Sequence, residues 1–184
     1  MPHAVPPSLS SPVSEADARL GLQTIETEVV IAADIASVHA YATNAARWHE
    51  WHPATRSVEG VPDRPLGYGE TITEHIRAGG RRFTATWTVI AVDAPRLWVI
   101  ATDTPKGQAR LAYRLSAGTT GSGRPATRFQ RRLECRSRHW LLHLLDPLLL
   151  RLALVPQSRR ALDNLKRAIE ARQAADITTE ARRE

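Results

Sequence analysis

Residues 69–116, GETITEHIRAGGRRFTATWTVIAVDAPRLWVIATDTPKGQARLAYRLS, alternate with a period of two. One side carries Ile72, Glu74 and Ile76, then Phe83, Ala85, Trp87 and Val89, then Leu111, Tyr113 and Leu115. The other carries Thr71, Thr73 and His75, then Thr84, Thr86 and Thr88, then Arg110 and Arg114. Successive side chains of a strand point to opposite faces, so this is a sheet with one buried and one wet face, the antiparallel pattern. Turn chemistry at Ala78-Gly79-Gly80, Asp93-Ala94-Pro95 and Thr104-Pro105-Lys106-Gly107 separates strands at 69–77, 81–92, 96–103 and 108–116. Connections this short join antiparallel neighbours.

The pattern continues outward in both directions. Beyond the glycine-rich 117–125, residues 126–136 keep Phe129, Arg131, Leu133 and Cys135 in the buried phase and Arg128, Gln130 and Arg132 in the other. Upstream, residues 55–61 form a weak strand, and 22–32 (LQTIETEVVIA) alternate before turning apolar, as a first strand entering a core does. Asp34 is placed to cap a short helix with Ile35, Val38 and Ala42 on one face. A second short helix from Ala45 to Trp51 ends at Pro53.

About seven strands expose one apolar face that something helical must cover. Leu162, Leu165 and Ile169 recur at helical spacing beside Ala161 and Ala168 and supply that cover. Pro156 either opens this helix or kinks a longer one starting near Trp140; the kinked form is the one expected. From about Ala174 the periodicity fades and fraying is expected. The reading is a single α+β domain over residues 21–173, with a disordered tail at 1–20 and a frayed one at 174–184.

A chain of 184 residues can bury a core without staples, and its only cysteine, Cys135, excludes an internal disulfide. A reducing, cytoplasmic setting fits that usage. The first residues, MPHAVPPSLSSPVSEADAR, have neither the basic nor the apolar region of a signal peptide. The net charge is +6, carried almost wholly by arginine, since Lys106 and Lys166 are the only lysines. The arginines are dispersed along strands and helices, which argues for a solvated basic surface and against nucleic-acid binding. Leu141 to Pro156, LLHLLDPLLLRLALVP, is shorter than the roughly 20 apolar residues of a membrane span and carries His143, Asp146 and Arg151.

A strand, two small helices, a six-stranded meander and a closing helix resemble the SRPBCC superfamily, the START-like group of polyketide cyclases, lipid-transfer domains and the birch-pollen allergen. Ile31-Ala32-Ala33-Asp34 with Val38 and Tyr41 is similar to the family's entry from first strand to first helix. Trp48 and Trp51-His52-Pro53, the pair Gly67 and Gly69, the hairpin residues Val92, Pro95 and Trp98, and Leu162-Asp163-Asn164-Leu165-Lys166 follow in the family's order. The resemblance covers about Leu22 to Arg172. It implies a helix-grip fold: a curved antiparallel sheet wrapped round a long C-terminal helix, enclosing a pocket. Ala33 and Asp34 replace the usual proline before the first helix, and His39 an aromatic, so no subfamily's catalytic set carries over.

Glu74 and Arg131 share the phase of the buried residues, where a charge is costly unless paired or bound. They either grip a ligand carboxylate, phosphate or carbonyl, or pair with each other. Phe83, Trp87, Tyr113 and Phe129 lie in the same phase and are read with Glu74 and Arg131 as the lining of a ligand pocket. His49 and His52 flank Trp51 near the expected pocket mouth, as acid–base candidates or solvent-facing residues. His139 and His143 stand at i, i+4, but the glutamate of a zinc-binding H-E-x-x-H is missing, so no metal is assigned. No nucleophile elbow, phosphate loop or dinucleotide fingerprint is present, and no cofactor is assigned.

These features point to binding, for storage or transfer, of a small hydrophobic lipid-like or polyketide-like ligand in an internal cavity. The alternatives are a polyketide aromatase/cyclase using Glu74, Tyr113, Arg131 and His52, and a co-chaperone-like interaction module. Residues 139–155 form a leucine-rich helical stretch with a narrow polar stripe of His139, His143 and Asp146. They are read as a lid able to touch an anionic membrane, or as plain core or dimer interface. Neither the ligand's identity, any reaction nor the oligomeric state is readable from the sequence.

Overall fold

A computed structural model describes residues 23–78, 81–105, 107–137, 140–180 and 182. The tail at 1–20 and His139 lie outside the described residues, and so do the side chains of 140–153, which carry most of the proposed lid.

Seven strands form one antiparallel sheet: β1 (Gln23–Ile31), β2 (Thr55–Glu59), β3 (Thr71–Ala78), β4 (Arg81–Asp93), β5 (Leu97–Thr104), β6 (Gly107–Thr119) and β7 (Pro125–Ser137). Their order across the sheet is β1-β7-β6-β5-β4-β3-β2, a meander whose last strand closes on the first. Between β1 and β2 lie helix α1 (Ile35–Ala42), a 3-10 turn (Ala45–Arg47) and helix α2 (Trp48–Trp51). Asp34 caps α1, its Oδ1 accepting the Ser37 N–H at 2.9 Å. The half-barrel closes on helix α3 (Trp140–Glu180), giving the helix-grip architecture.

The alternation holds through the sheet. Ile72, Ala85, Trp87, Val89, Leu111, Tyr113, Leu115 and Phe129 are buried in one core with Ala161, Leu162, Leu165 and Ile169 of α3. Polar contacts help to seat the helix. Asn164 Nδ2 donates to the Trp51 carbonyl at 3.1 Å, Lys166 Nζ to the Val30 carbonyl at 2.6 Å, and Glu170 Oε1 accepts the Ala32 N–H at 2.8 Å.

Of the two starts the sequence allows for α3, the structure has the longer helix: it begins at Trp140 and runs for 41 residues through Pro147 and Pro156. A proline removes one intrahelical hydrogen bond without ending the helix. Helical backbone continues to Glu180, past the expected fraying point at Ala174, although 174–180 (AADITTE) holds an isoleucine and two threonines, which are weak helix formers.

Candidate functional site

A polar cluster sits inside this apolar shell. Glu74 on β3 is 4% exposed and Arg131 on β7 is 5% exposed, both on the concave face. Each Glu74 oxygen has one donor: the Thr55 hydroxyl at the start of β2 reaches Oε1, and the Trp87 indole N–H reaches Oε2 at 2.9 Å. Thr55 Oγ1 also lies 3.1 Å from Nδ1 of His52, the residue ending α2. His52 Nε2 in turn lies 3.4 Å from Arg131 Nη2, and Arg131 Nη1 donates to Ser158 Oγ of α3 at 2.6 Å. Tyr113 is opposite Arg131 in the β6–β7 register, which brings its hydroxyl beside the guanidinium.

Hydrogen-bond directions follow from the donor inventory. The Thr55 hydroxyl spends its one proton on the Glu74 carboxylate, so His52 Nδ1 carries a proton and donates to Thr55. That leaves the Nε2 lone pair to accept from Arg131. The imidazole is therefore neutral. Burial, and secondarily the positive Arg131, hold its pKa down to about 3. Burial raises the Glu74 carboxyl above its ordinary value, opposed by the Thr55 and Trp87 hydrogen bonds and the Arg131 charge. Burial also pushes the Tyr113 phenol up to about 12 and the Arg131 guanidinium down.

Aromatic rings wall the cluster. Tyr113 lies 5.4 Å from Trp98 in a stacked arrangement, 5.0 Å from Phe129 and 6.4 Å from Trp51, which meets His52 edge-on at 5.6 Å. Trp48 and Trp98 are tied elsewhere, their indoles donating to the carbonyls of Ala42 and Leu66. Two donors in the cluster's neighbourhood, Arg131 Nε–H and Trp51 Nε1–H, are buried with no acceptor among the described residues.

Of the residues singled out from sequence, Glu74, Trp87, Tyr113, Phe129 and Arg131 are brought together and buried. Phe83 is not: it keeps their phase but is 42% exposed. It is two residues into β4, at the end of the sheet where β7 finishes at Ser137 and α3 soon begins, so it stands at the rim. Glu74 and Arg131 do not form the direct ion pair that was one of their two expected roles, because the carboxylate is turned to Thr55 and Trp87. His52, expected near the mouth, is half-buried at the centre of the network.

Thr55 and Ser158 were not foreseen. Ser158 had a readable signal, since it shares the helical phase of Leu162, Leu165 and Ile169 and is the one polar residue in that stripe. Thr55 had none; the register shift between Thr55 and Ser57 that accompanies its burial is invisible in the sequence.

Solved structures share this fold. The Zhui aromatase/cyclase from Streptomyces sp. R1128 superposes with a TM-score of 0.67 at 16% identity, covering 83% of this chain and 96% of that one. A START superfamily protein from Mycobacterium smegmatis gives 0.58 at 13% identity, covering 83% and 97%. The di-domain ARO/CYC BexL from the BE-7585A biosynthetic pathway gives 0.62 at 17%, covering 81% of this chain and 50% of that one. At such identities the likeness is one of fold. No curated protein sequence matches the chain. The family model for polyketide cyclase/dehydrase and lipid transport matches residues 23–170, most of the chain, and to that family the protein belongs.

Proposed function

We propose that the protein binds a small hydrophobic molecule on the concave face of its sheet, with the Glu74–Thr55–His52–Arg131 cluster holding the molecule's polar end. One observation carries this reading. Charged and polar side chains are clustered deep in an aromatic interior, yet they do not complete one another's hydrogen bonds. Buried polar groups left incomplete are costly, and ligand sites are where apolar walls converge on a few such groups. Phe83, at the rim, marks the end by which a ligand enters. Native mass spectrometry of the purified protein tests the reading. A co-purifying small molecule, lost on denaturation, is the expected result; a protein that neither retains nor takes up any apolar probe contradicts it.

The hydrogen-bonded series His52–Thr55–Glu74 favours a second reading, acid–base catalysis of aldol closure and dehydration on a polyketone held in the same interior. In this series the carboxylate orients the imidazole through the threonine. His52 becomes a base only when a bound polyketone takes over the Arg131 contact that now holds its Nε2 lone pair and depresses its pKa. Incubation with a model β-polyketone distinguishes the two. Catalysis predicts a cyclised aromatic product that His52→Gln loses, whereas binding alone predicts unchanged polyketone.

A further inference from the structure

The ligand-binding reading leaves the polar end of the ligand undefined, and the arginines of the molecule define it. Several surface arginines sit against carboxylates: Arg47 against Glu50 and Asp63, Arg64 against Glu70, Arg128 against Glu28, Arg132 against Glu26 and Glu134. Arg131, far more buried than these, has none within ion-pair distance among the described residues. Its recorded side-chain partners are the Ser158 hydroxyl and the neutral His52, with the Tyr113 phenol alongside. Glu74, the one nearby acid, has both oxygens engaged by other donors. Glu74 acts on Arg131 through space but is not bonded to it, and a buried guanidinium without a directly paired carboxylate is unfavourable. Arg131 Nε–H is in addition unbonded among the described residues. The Trp51 indole N–H, whose ring abuts His52, is a second unsatisfied donor in the same neighbourhood.

We infer that the natural ligand is an acid: an apolar molecule bearing a carboxylate, or a comparably acidic enol or phenol, whose anionic oxygen pairs with Arg131. This rests on the ligand-binding reading above and narrows it. The anion supplies the directly bonded charge that Glu74, turned to Thr55 and Trp87, does not, and an acceptor for Nε–H, while the neutral His52 and the Ser158 hydroxyl fix the guanidinium plane. An uncharged alcohol of the same skeleton satisfies a hydrogen bond but not the charge. Charge-assisted bonds to a guanidinium are the stronger and the more selective kind.

The test uses the full chain and two matched pairs near neutral pH: decanoate with decan-1-ol, and 2-naphthoate with 2-naphthalenemethanol. Binding is followed by calorimetry and by tryptophan fluorescence. The wild-type protein is expected to take up one acid per chain about tenfold or more tighter than its matched alcohol, a gap of about 1.4 kcal/mol. The skeleton in which the gap appears tells an aliphatic acid from an aromatic one. Arg131→Met should abolish the gap and still bind the alcohol, and Arg131→Lys should restore part of it. Equal binding of acid and alcohol by the wild type overturns the inference, a result that needs no variant to fold. So does an acid preference that survives in Arg131→Met, which would place the anion on the basic surface. If neither member of either pair binds, the ligand-binding reading fails and this inference with it.

Discussion

Trp87 illustrates how closely packing and polarity are joined in this interior. Its ring is buried in the core and its indole N–H is one of only two donors recorded on Glu74. Trp87→Ala should cost about 3–5 kcal/mol for the lost burial. Trp87→Phe keeps most of the volume and isolates the effect of the missing donor on Glu74. Urea denaturation of both variants checks the order. His52 adds a pH signature. Its folded-state pKa of about 3 lies below the ordinary 6.5, so the unfolded chain takes up the proton first as pH falls. Its contribution to stability is complete above about 6.5 and is lost progressively toward about 3. Glu74, raised from 4.5, works in the opposite sense and loses stability as pH rises through its folded value. Unfolding free energies measured from neutral to mildly acidic pH should therefore fall in the wild type and fall less in His52→Gln. Parallel profiles would mean that His52 is not held neutral in the folded protein. Glu74 and Arg131 were legible as inward charges because period-two alternation reads orientation directly. Their hydrogen-bond partners were not legible, because Thr55 and Ser158 join them across 19 and 27 residues of sequence through tertiary packing.

At the scale of elements, α3 separates what a sequence displays from what it conceals. The 3.6-residue spacing of Leu162, Leu165 and Ile169 identified the face that covers the sheet, and those residues are 3% exposed or less. Leu165→Ala should cost about 2–5 kcal/mol, as expected for a leucine with no room to be replaced by solvent. Thermal or urea unfolding measures it, and a loss near zero would show that α3 is not the lid of the core. The strand ends were also legible, since glycine, proline and aspartate mark each turn. The start of the helix near Trp140 was legible as well, whereas its continuation past Ala174 was not, because the β-branched Ile177, Thr178 and Thr179 argue locally for an end. The leucine-rich first half of α3 is further proposed to contact anionic membranes during ligand exchange. The wild type should then co-sediment with phosphatidylserine vesicles, less so at high salt, and a Leu145→Glu, Leu149→Glu variant should stay in the supernatant. Indifference of the wild type to such vesicles at every salt concentration rejects that role. No helix among the described residues is long and apolar enough to cross a membrane.

For the molecule as a whole, the central claim is that the curved sheet and α3 hold a small apolar ligand against the Arg131 cluster. The tryptophans are reporters already in place. The Trp51 indole N–H has no acceptor and that of Trp87 faces Glu74, whereas the Trp48 indole is bonded to the Ala42 carbonyl, away from the cluster. Indole N–H signals in a two-dimensional nitrogen–proton NMR titration with decanoate and decan-1-ol therefore read the site directly. The account predicts saturable shifts of the Trp51 and Trp87 signals, with Trp48 essentially unmoved. Saturable binding that leaves Trp51 and Trp87 in place, or no binding of either probe, would contradict it.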